Sequence, residues 1–222
     1  MAATLAGEGA VVIAGEQTAG RGRRGHAWFS PPGSGLYVSV VLMPARARID
    51  PRRATTLLTI TAGVALAEGV SASSGVDVDL KWPNDLYVSG RKLAGILAER
   101  SDDRVVLGYG VNLRDAAYPP DLRPSATSLE SERGRPIDRT AVLVETLVAL
   151  ARRYDDLLDG RFDAILDACR RRAPAAFGAR VSWATPSGPR AGVTGGIDDN
   201  GALLVRVGER LETIVGGELT WS

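Results

Sequence analysis

The residues able to do chemistry in this chain are few, and they crowd into three short stretches. The first, residues 20–30 (GRGRRGHAWFS), sets Gly20, Gly22 and Gly25 among Arg21, Arg23 and Arg24, adds His26 and ends on aromatic residues. Glycine lifts steric limits, so backbone N–H groups can approach a ligand closely. Arginine adds charge-assisted donors for phosphate or carboxylate. Taken alone, the stretch fits a phosphate cradle, a nucleic-acid patch or a solvated loop. It is not a Walker loop, because no Gly-Lys-Ser/Thr closes it and a strand rather than a helix follows. The dinucleotide-binding fingerprint fails for the same reason.

The second stretch is KWPNDL, residues 81–86, continued by RKLAG; the third is GYGVN, residues 108–112. The rare residues fall here. Positive charge is otherwise written as arginine, and Lys81 and Lys92 are the only lysines. A lysine kept in such a composition points to a site where a compact charge on a flexible stem serves better than a planar fork. Gln17 is the only glutamine, and two of the three asparagines are Asn84 and Asn112. Pro83 marks a turn at a strand end, with Asn84 and Asp85 next to it. Lys81 and Asp85, four apart across that turn, can meet or flank one ligand.

These stretches need a scaffold. Residues 10–14 and Gly35–Leu42 read as strands, the second β-branched and aromatic. Pro51–Ser74 carries apolar residues at helical spacing. Residues 76–81 (VDVDLK) alternate as a half-buried strand, and residues 81–99 read strand, turn, strand about Ser89-Gly90. Residues 105–113 form a further strand whose glycines suggest close approach by another group. Residues 114–134 read as loop. Residues 140–158 form an amphipathic helix capped by Thr140 or Asp138, and Phe162–Arg172 a shorter one. Beyond Pro174 about five short apolar runs split by PSG, DDNG, GE and GG indicate a small antiparallel barrel or sandwich.

Bulk properties narrow the classes. The net charge of +1 argues against a dedicated nucleic-acid binder. Cys169, the only cysteine, has no disulfide partner and no zinc spacing. No unbroken apolar run approaches the roughly 20 residues of a membrane span, and the first nine residues lack the form of a secretory signal. A cytoplasmic protein is the expectation.

Together, GEQTAGRGRRGHAWFSPPGSGLYVSV, LKWPNDLYVSGRKLAGILAE and GYGVNL, in this order, resemble the biotin protein ligases. The similarity runs on more weakly to the terminal GGELTWS. The resemblance implies an α/β (α+β) fold: a mixed-sheet catalytic domain over residues 1–175 and a small SH3-like barrel over 176–222. It implies that biotin and MgATP give biotinyl-5′-adenylate and pyrophosphate, and that biotin then passes to one lysine of a biotin carboxyl carrier protein domain. Such phosphoryl transfer needs positioning and charge neutralisation more than a protein nucleophile.

By position, the resemblance makes Gln17 a hydrogen-bond partner of biotin. Gly20, Arg21, Gly22 and Arg23 become a loop that orders over biotin and the adenylate phosphate. Trp28 and Phe29 would pack at its base, with Trp28 shielding the adenylate. Lys92 would hold the biotin carboxyl and the α-phosphate, and Gly95 would admit biotin to the backbone. Asn112 would lie near adenine or the phosphates, and Asn84 would support the turn. Lys81 and Asp85 would sit at the reacting centre, Asp85 orienting or deprotonating the carrier lysine. No protein metal site is implied, since magnesium comes with ATP.

Two departures stand out. His26 occupies a position where many members carry arginine, and the Ser-Thr-Asn segment that usually precedes the first matched strand has no counterpart here. With no helix-turn-helix ahead of the domain, a repressor role is not expected. The protein would act as a monomer or homodimer, without nucleic acid or membrane. A lipoate or octanoate ligase or transferase of the same fold, a non-catalytic binding module and an inactive truncated ligase are the competing readings.

Overall fold

The computed structural model describes residues 7–186 and 188–221. Its frame is a six-stranded sheet built from β1 (Val11–Ala14), β2 (Gly35–Leu42), β3 (Asp79–Lys81), β4 (Asp85–Val88), β5 (Arg91–Ser101) and β6 (Arg104–Asn112). The spatial order is β1-β2-β6-β5-β4-β3. Every one of these pairings is antiparallel, where a mixed sheet was expected. Hairpin connections suffice for β3 to β6, and β2, which precedes α1 in the chain, pairs with β6 antiparallel, so no parallel crossover is needed. The one parallel contact to this sheet among the described residues is an isolated bridge from Lys92 to Ala126.

Alternation along the strands separates two faces. Leu36, Val38, Val40, Ile96, Leu107, Tyr109 and Val111 enter the core. Against them pack α1 (Pro51–Ser74), α3 (Arg139–Leu158) and α4 (Phe162–Arg172). Asp50 caps α1 through Arg53 N at 3.0 Å, and Gly75 ends it in the left-handed region. By length and composition α1 could cross a bilayer, but 72% of its apolar window is buried within the protein, so here it is a core helix. Asp138 caps α3, accepting from Thr140 N and Ala141 N, which decides between the two cap residues read from the sequence.

Two segments differ from the sequence reading. Residues 76–78 lie outside β3, an edge strand whose partner β4 is only four residues long; Val76 and Val78 are buried all the same. The expected loop at 114–134 contains a short helix, α2 (Leu129–Arg133), started by Ser128 and stopped by Gly134 in the left-handed region.

The C-terminal part comprises β7 (Phe177–Thr185), β8 (Gly188–Ile197), β9 (Leu203–Val207), β10 (Arg210–Ile214) and β11 (Thr220–Trp221). They form a second antiparallel sheet in the order β10-β9-β8-β7-β11. Its outer strands do not pair with each other among the described residues, so the SH3-like unit is not a closed barrel. Bulges in β7 and β8 interrupt its ladders. Val181, Ile197, Leu203 and Val205 join the same hydrophobic core as the first sheet.

Candidate active site

The face of the first sheet opposite the helices carries Gly95, Leu97, Gly108 and Ser39, with Gly95 directly across from Gly110. A side chain on Gly110 would overlap the Trp28 indole, and one on Gly95 would come within 3.1 Å of it. The two glycines are thus a floor on which Trp28 lies. Over this floor opens a cleft of about 660 Å3.

Strand register brings the charged residues together. Asp85 is the partner of Lys81 on β3 and of Gly95 on β5. Lys92 would face away from Asp85 in a regular ladder. A bulge sets Lys92, rather than Leu93, opposite Tyr87, so Lys92 turns into the cleft while Leu93 stays buried. Lys92 Nζ then lies 2.7 Å from Asp85 Oδ1 and 5.6 Å from the centre of the Trp28 ring. The Asp85 contact is an ion pair without hydrogen-bond alignment. Trp28 Nε1 is buried with no hydrogen-bond partner in the protein, and Asp85 Oδ1, also buried, has only its ion pair with Lys92. A buried donor left unpaired costs free energy, and a ligand acceptor in the cleft would relieve that cost at Trp28.

Lys81 Nζ donates to Tyr87 Oη at 3.2 Å and sits 4.3 Å from the Tyr87 ring and 5.7 Å from that of Trp221. Burial lowers its pKa; Asp85 opposes the shift and Lys92 adds to it. Burial, aided by the Asp85 charge, pushes the Tyr87 hydroxyl up to about 12, so Tyr87 stays a neutral partner. Arg23 donates to Asn84 Oδ1 at 2.8 Å. Its pKa is lowered by burial and by neighbouring Arg24. Asn84 is fixed in turn by Nδ2 donating to Ile96 O at 2.8 Å, while Ile96 N returns a bond to Asn84 O. Three cations therefore surround one carboxylate, a balance suited to a polyanionic ligand.

The glycine-rich loop is a narrow hairpin above the cleft. Gly22 N bonds His26 O at 2.7 Å, Trp28 N bonds Gly20 O at 2.9 Å, and Arg24 and Gly25 adopt positive φ. Arg21 reaches across the sheet to Glu99 at 2.9 Å. Gln17 Oε1 accepts from Ser30 Oγ at 2.8 Å.

The family model that describes the biotin/lipoate A/B protein ligase family matches residues 3–113, which hold the loop and both lysines. A biotin–[acetyl-CoA-carboxylase] ligase of Mycobacterium tuberculosis is 35% identical over 216 residues, spanning 96% of this chain and 79% of that protein. The chain belongs to the biotin/lipoate A/B protein ligase family. The bifunctional ligase/repressor BirA of Bacillus subtilis is also 35% identical, over 96% of this chain but 66% of its own length. The biotin protein ligase from Aquifex aeolicus in complex with biotin and ATP superposes with a TM-score of 0.86 at 27% identity, covering 98% of this chain and 90% of that one.

In this member of the ligase family, Gln17, Arg21, Gly22, Arg23 and Trp28 line the cleft from the loop side. Lys81, Asn84, Asp85, Lys92 and Gly95 line it from the sheet. Three expected residues stand apart, of which Phe29, expected to pack at the base of the loop, is exposed and does not line the cleft. Gly20 is in the neck of the loop, where a side chain would overlap the Trp28 carbonyl. Asn112 is buried and donates to Thr127 O at 3.0 Å, next to the segment whose Ser125 O accepts from Lys92 N at 2.8 Å. It holds the backbone behind Lys92 and does not face the cleft. The sequence reading missed Tyr87, Glu99 and Trp221. Tyr87 was detectable, since alternation from Asp85 puts it on the same face. Trp221 carries no local signal and arrives only through the docking of the C-terminal sheet.

Proposed function

We propose that this protein is an ATP-dependent biotin protein ligase. The observation that carries the reading is the cluster of Lys81, Lys92 and Arg23 around Asp85, above a floor of Gly95 and Gly110. In the first step a biotin carboxylate oxygen attacks the α-phosphorus of ATP and pyrophosphate leaves. Both reactants are anions, so the step requires neutralisation at the point where they meet. Lys92 takes that place, released from Asp85 toward the carboxylate and the α-phosphate. Arg23 and Arg21 close from the loop, and Gln17 binds biotin from the loop base. Magnesium arrives with ATP as part of the substrate.

In the second step the neutral ε-amine of a carrier lysine attacks the acyl carbon and AMP leaves. The incoming ammonium must first lose a proton. Asp85, freed from its ion pair once Lys92 has moved to the phosphate, orients that amine and accepts its proton. Trp28, on the glycine floor, shields the mixed anhydride from water. The partner is a biotin carboxyl carrier domain of a carboxylase, and the reaction belongs in the cytoplasm, where ATP and such carboxylases occur.

The test is ATP–pyrophosphate exchange with biotin, with lipoate and with neither. Exchange that depends on biotin is expected. Exchange that depends on lipoate alone would assign the chain to the other branch of the family. Absence of exchange with both would remove the adenylation reading.

A further inference from the structure

The reacting turn is anchored from outside the cleft. Between Lys81 and Pro83 lies Trp82, only 6% exposed, whose indole Nε1 donates to the Gly201 carbonyl at 2.9 Å. Gly201 belongs to the turn joining β8 to β9, and residues 198–202 do not line the cleft. That turn is held firmly. Asp198 Oδ1 accepts from Asn200 N at 2.9 Å and from Ala202 N at 2.8 Å. Arg53 of α1 donates to Asp199 O at 2.8 Å, and Arg170 of α4 to Asp199 Oδ1 at 2.8 Å. Gly201 has φ +79° and lies so close to α1 that a side chain would come 2.6 Å from Ile60 and 2.8 Å from Leu57. The carbonyl is therefore offered to Trp82 from a rigid mount.

We propose that the β8–β9 turn is a positioning device for the reaction centre, acting through the Trp82 indole N–H. The proposal rests on the ligase reading for its kinetic arm only. Trp82 is adjacent to Lys81, and Lys81 is the cross-strand partner of Asp85. A bond that fixes Trp82 fixes the end of β3 and the start of β4 together, and with them the spacing of Lys81, Asp85 and Lys92. Misplacement of reacting groups by fractions of an ångström lowers turnover while leaving binding contacts elsewhere intact. Biotin is held mainly from the loop base and at Gly95, with Lys92 touching only its carboxylate, so its KM should move much less than kcat. Trp82 is on this account a positioning residue, and Asp198 acts through it.

The experiment uses the full chain and compares Trp82→Phe, Asp198→Ala, their double variant and Asp198→Asn. Phenylalanine keeps the packing and loses the donor, and asparagine keeps the acceptor oxygen of the turn. In biotin-dependent exchange, kcat is expected to fall about tenfold in each of the first two, with the biotin KM within about twofold. The double variant should be no slower than the worse single, because both changes break one link. Asp198→Asn should restore wild-type turnover. Unchanged kcat in Asp198→Ala, or losses that multiply in the double variant, would overturn the proposal. Hydrogen exchange on ligand-free protein reads the same link without any substrate. Amides of residues 84–88 should exchange faster in Asp198→Ala than in the parent, and equal protection would also overturn it. If the parent shows no biotin-dependent exchange, the ligase reading fails and the hydrogen-exchange arm alone decides this one.

Discussion

The glycine-rich loop and the turn at residues 81–85 both bring positive charge to the cleft, but they are built in opposite ways. From Arg21 to Phe29 no residue is buried, and beyond its own backbone bonds the loop is held, among the described residues, only by arginine contacts to Glu99 and Asn84, by an exposed His26–Glu218 approach at 3.9 Å and by the seat of Trp28 at its base. The turn is bounded by buried Leu80, Trp82 and Leu86, locked to β5 by the Asn84 amide, and tied to the second sheet. Segments with few buried contacts open at low free-energy cost, whereas packed ones open only with the fold. In the ligase reading, this divides the labour. The loop must part to admit biotin and ATP and close over them, while the turn must hold the reacting groups still throughout.

The sharpest way to test that division is to remove charge from the fixed side. Lys92→Ala should lower biotin-dependent pyrophosphate exchange by about 10²–10³-fold, the usual cost of losing one donor aimed at developing charge. Near-normal exchange would take Lys92 out of the first step. Asp85→Ala should lower transfer to the carrier by about 10²-fold, as expected for loss of a positioned base. Exchange should fall less, because adenylation needs no base, although Lys92 loses the partner that now holds it. Equal labelling of the carrier by both proteins would remove Asp85 from the second step.

Where the two regions meet, Trp28 from the loop rests on Gly110 of the sheet. Gly110→Ala puts a methyl group into the space of the indole. Overpacking of this kind costs about 1–3 kcal/mol, to be read as a lower denaturation midpoint. The biotin KM should rise by about tenfold as Trp28 is lifted from its seat, a loss of the order that one misfitted methyl group causes. An unchanged midpoint and KM would mean that Trp28 does not lie on the floor in solution, and the loop would then be looser than the comparison requires.

How much of this was legible in the sequence follows the same divide. Long apolar periods fixed β2 and α1 at the bounds found, and DDNG marked the turn that later proved to hold Trp82. Type and spacing singled out the residues of the cleft because lysine, glutamine and asparagine are so rare here. What could not be read depends on partners distant in the chain. The bulge that turns Lys92 inward carries no glycine or proline of its own. The resemblance puts Asn112 near adenine or the phosphates, yet the 114–134 segment folds back to bury it. Trp221 and Gly201 reach the site only because the second sheet shares the core of the first.

The smallest expected effect concerns the resting position of the loop. Arg21, assigned to the clamp, is instead paired with Glu99 at 2.9 Å, with side chains 71% and 43% exposed. An exposed pair of this kind is worth about 0.2–1 kcal/mol, so at most about a fivefold shift in the loop's readiness to bind. If Glu99 holds Arg21 away from the phosphates, Glu99→Gln should lower the ATP KM by up to that factor, with kcat unchanged. Added salt should erase the difference, since a screened pair has little left to lose. A higher KM in the variant would reverse the assignment. Glu99 would then hold the loop in its binding shape, and the loop would share with the turn the preformed order that the contrast between them denies it.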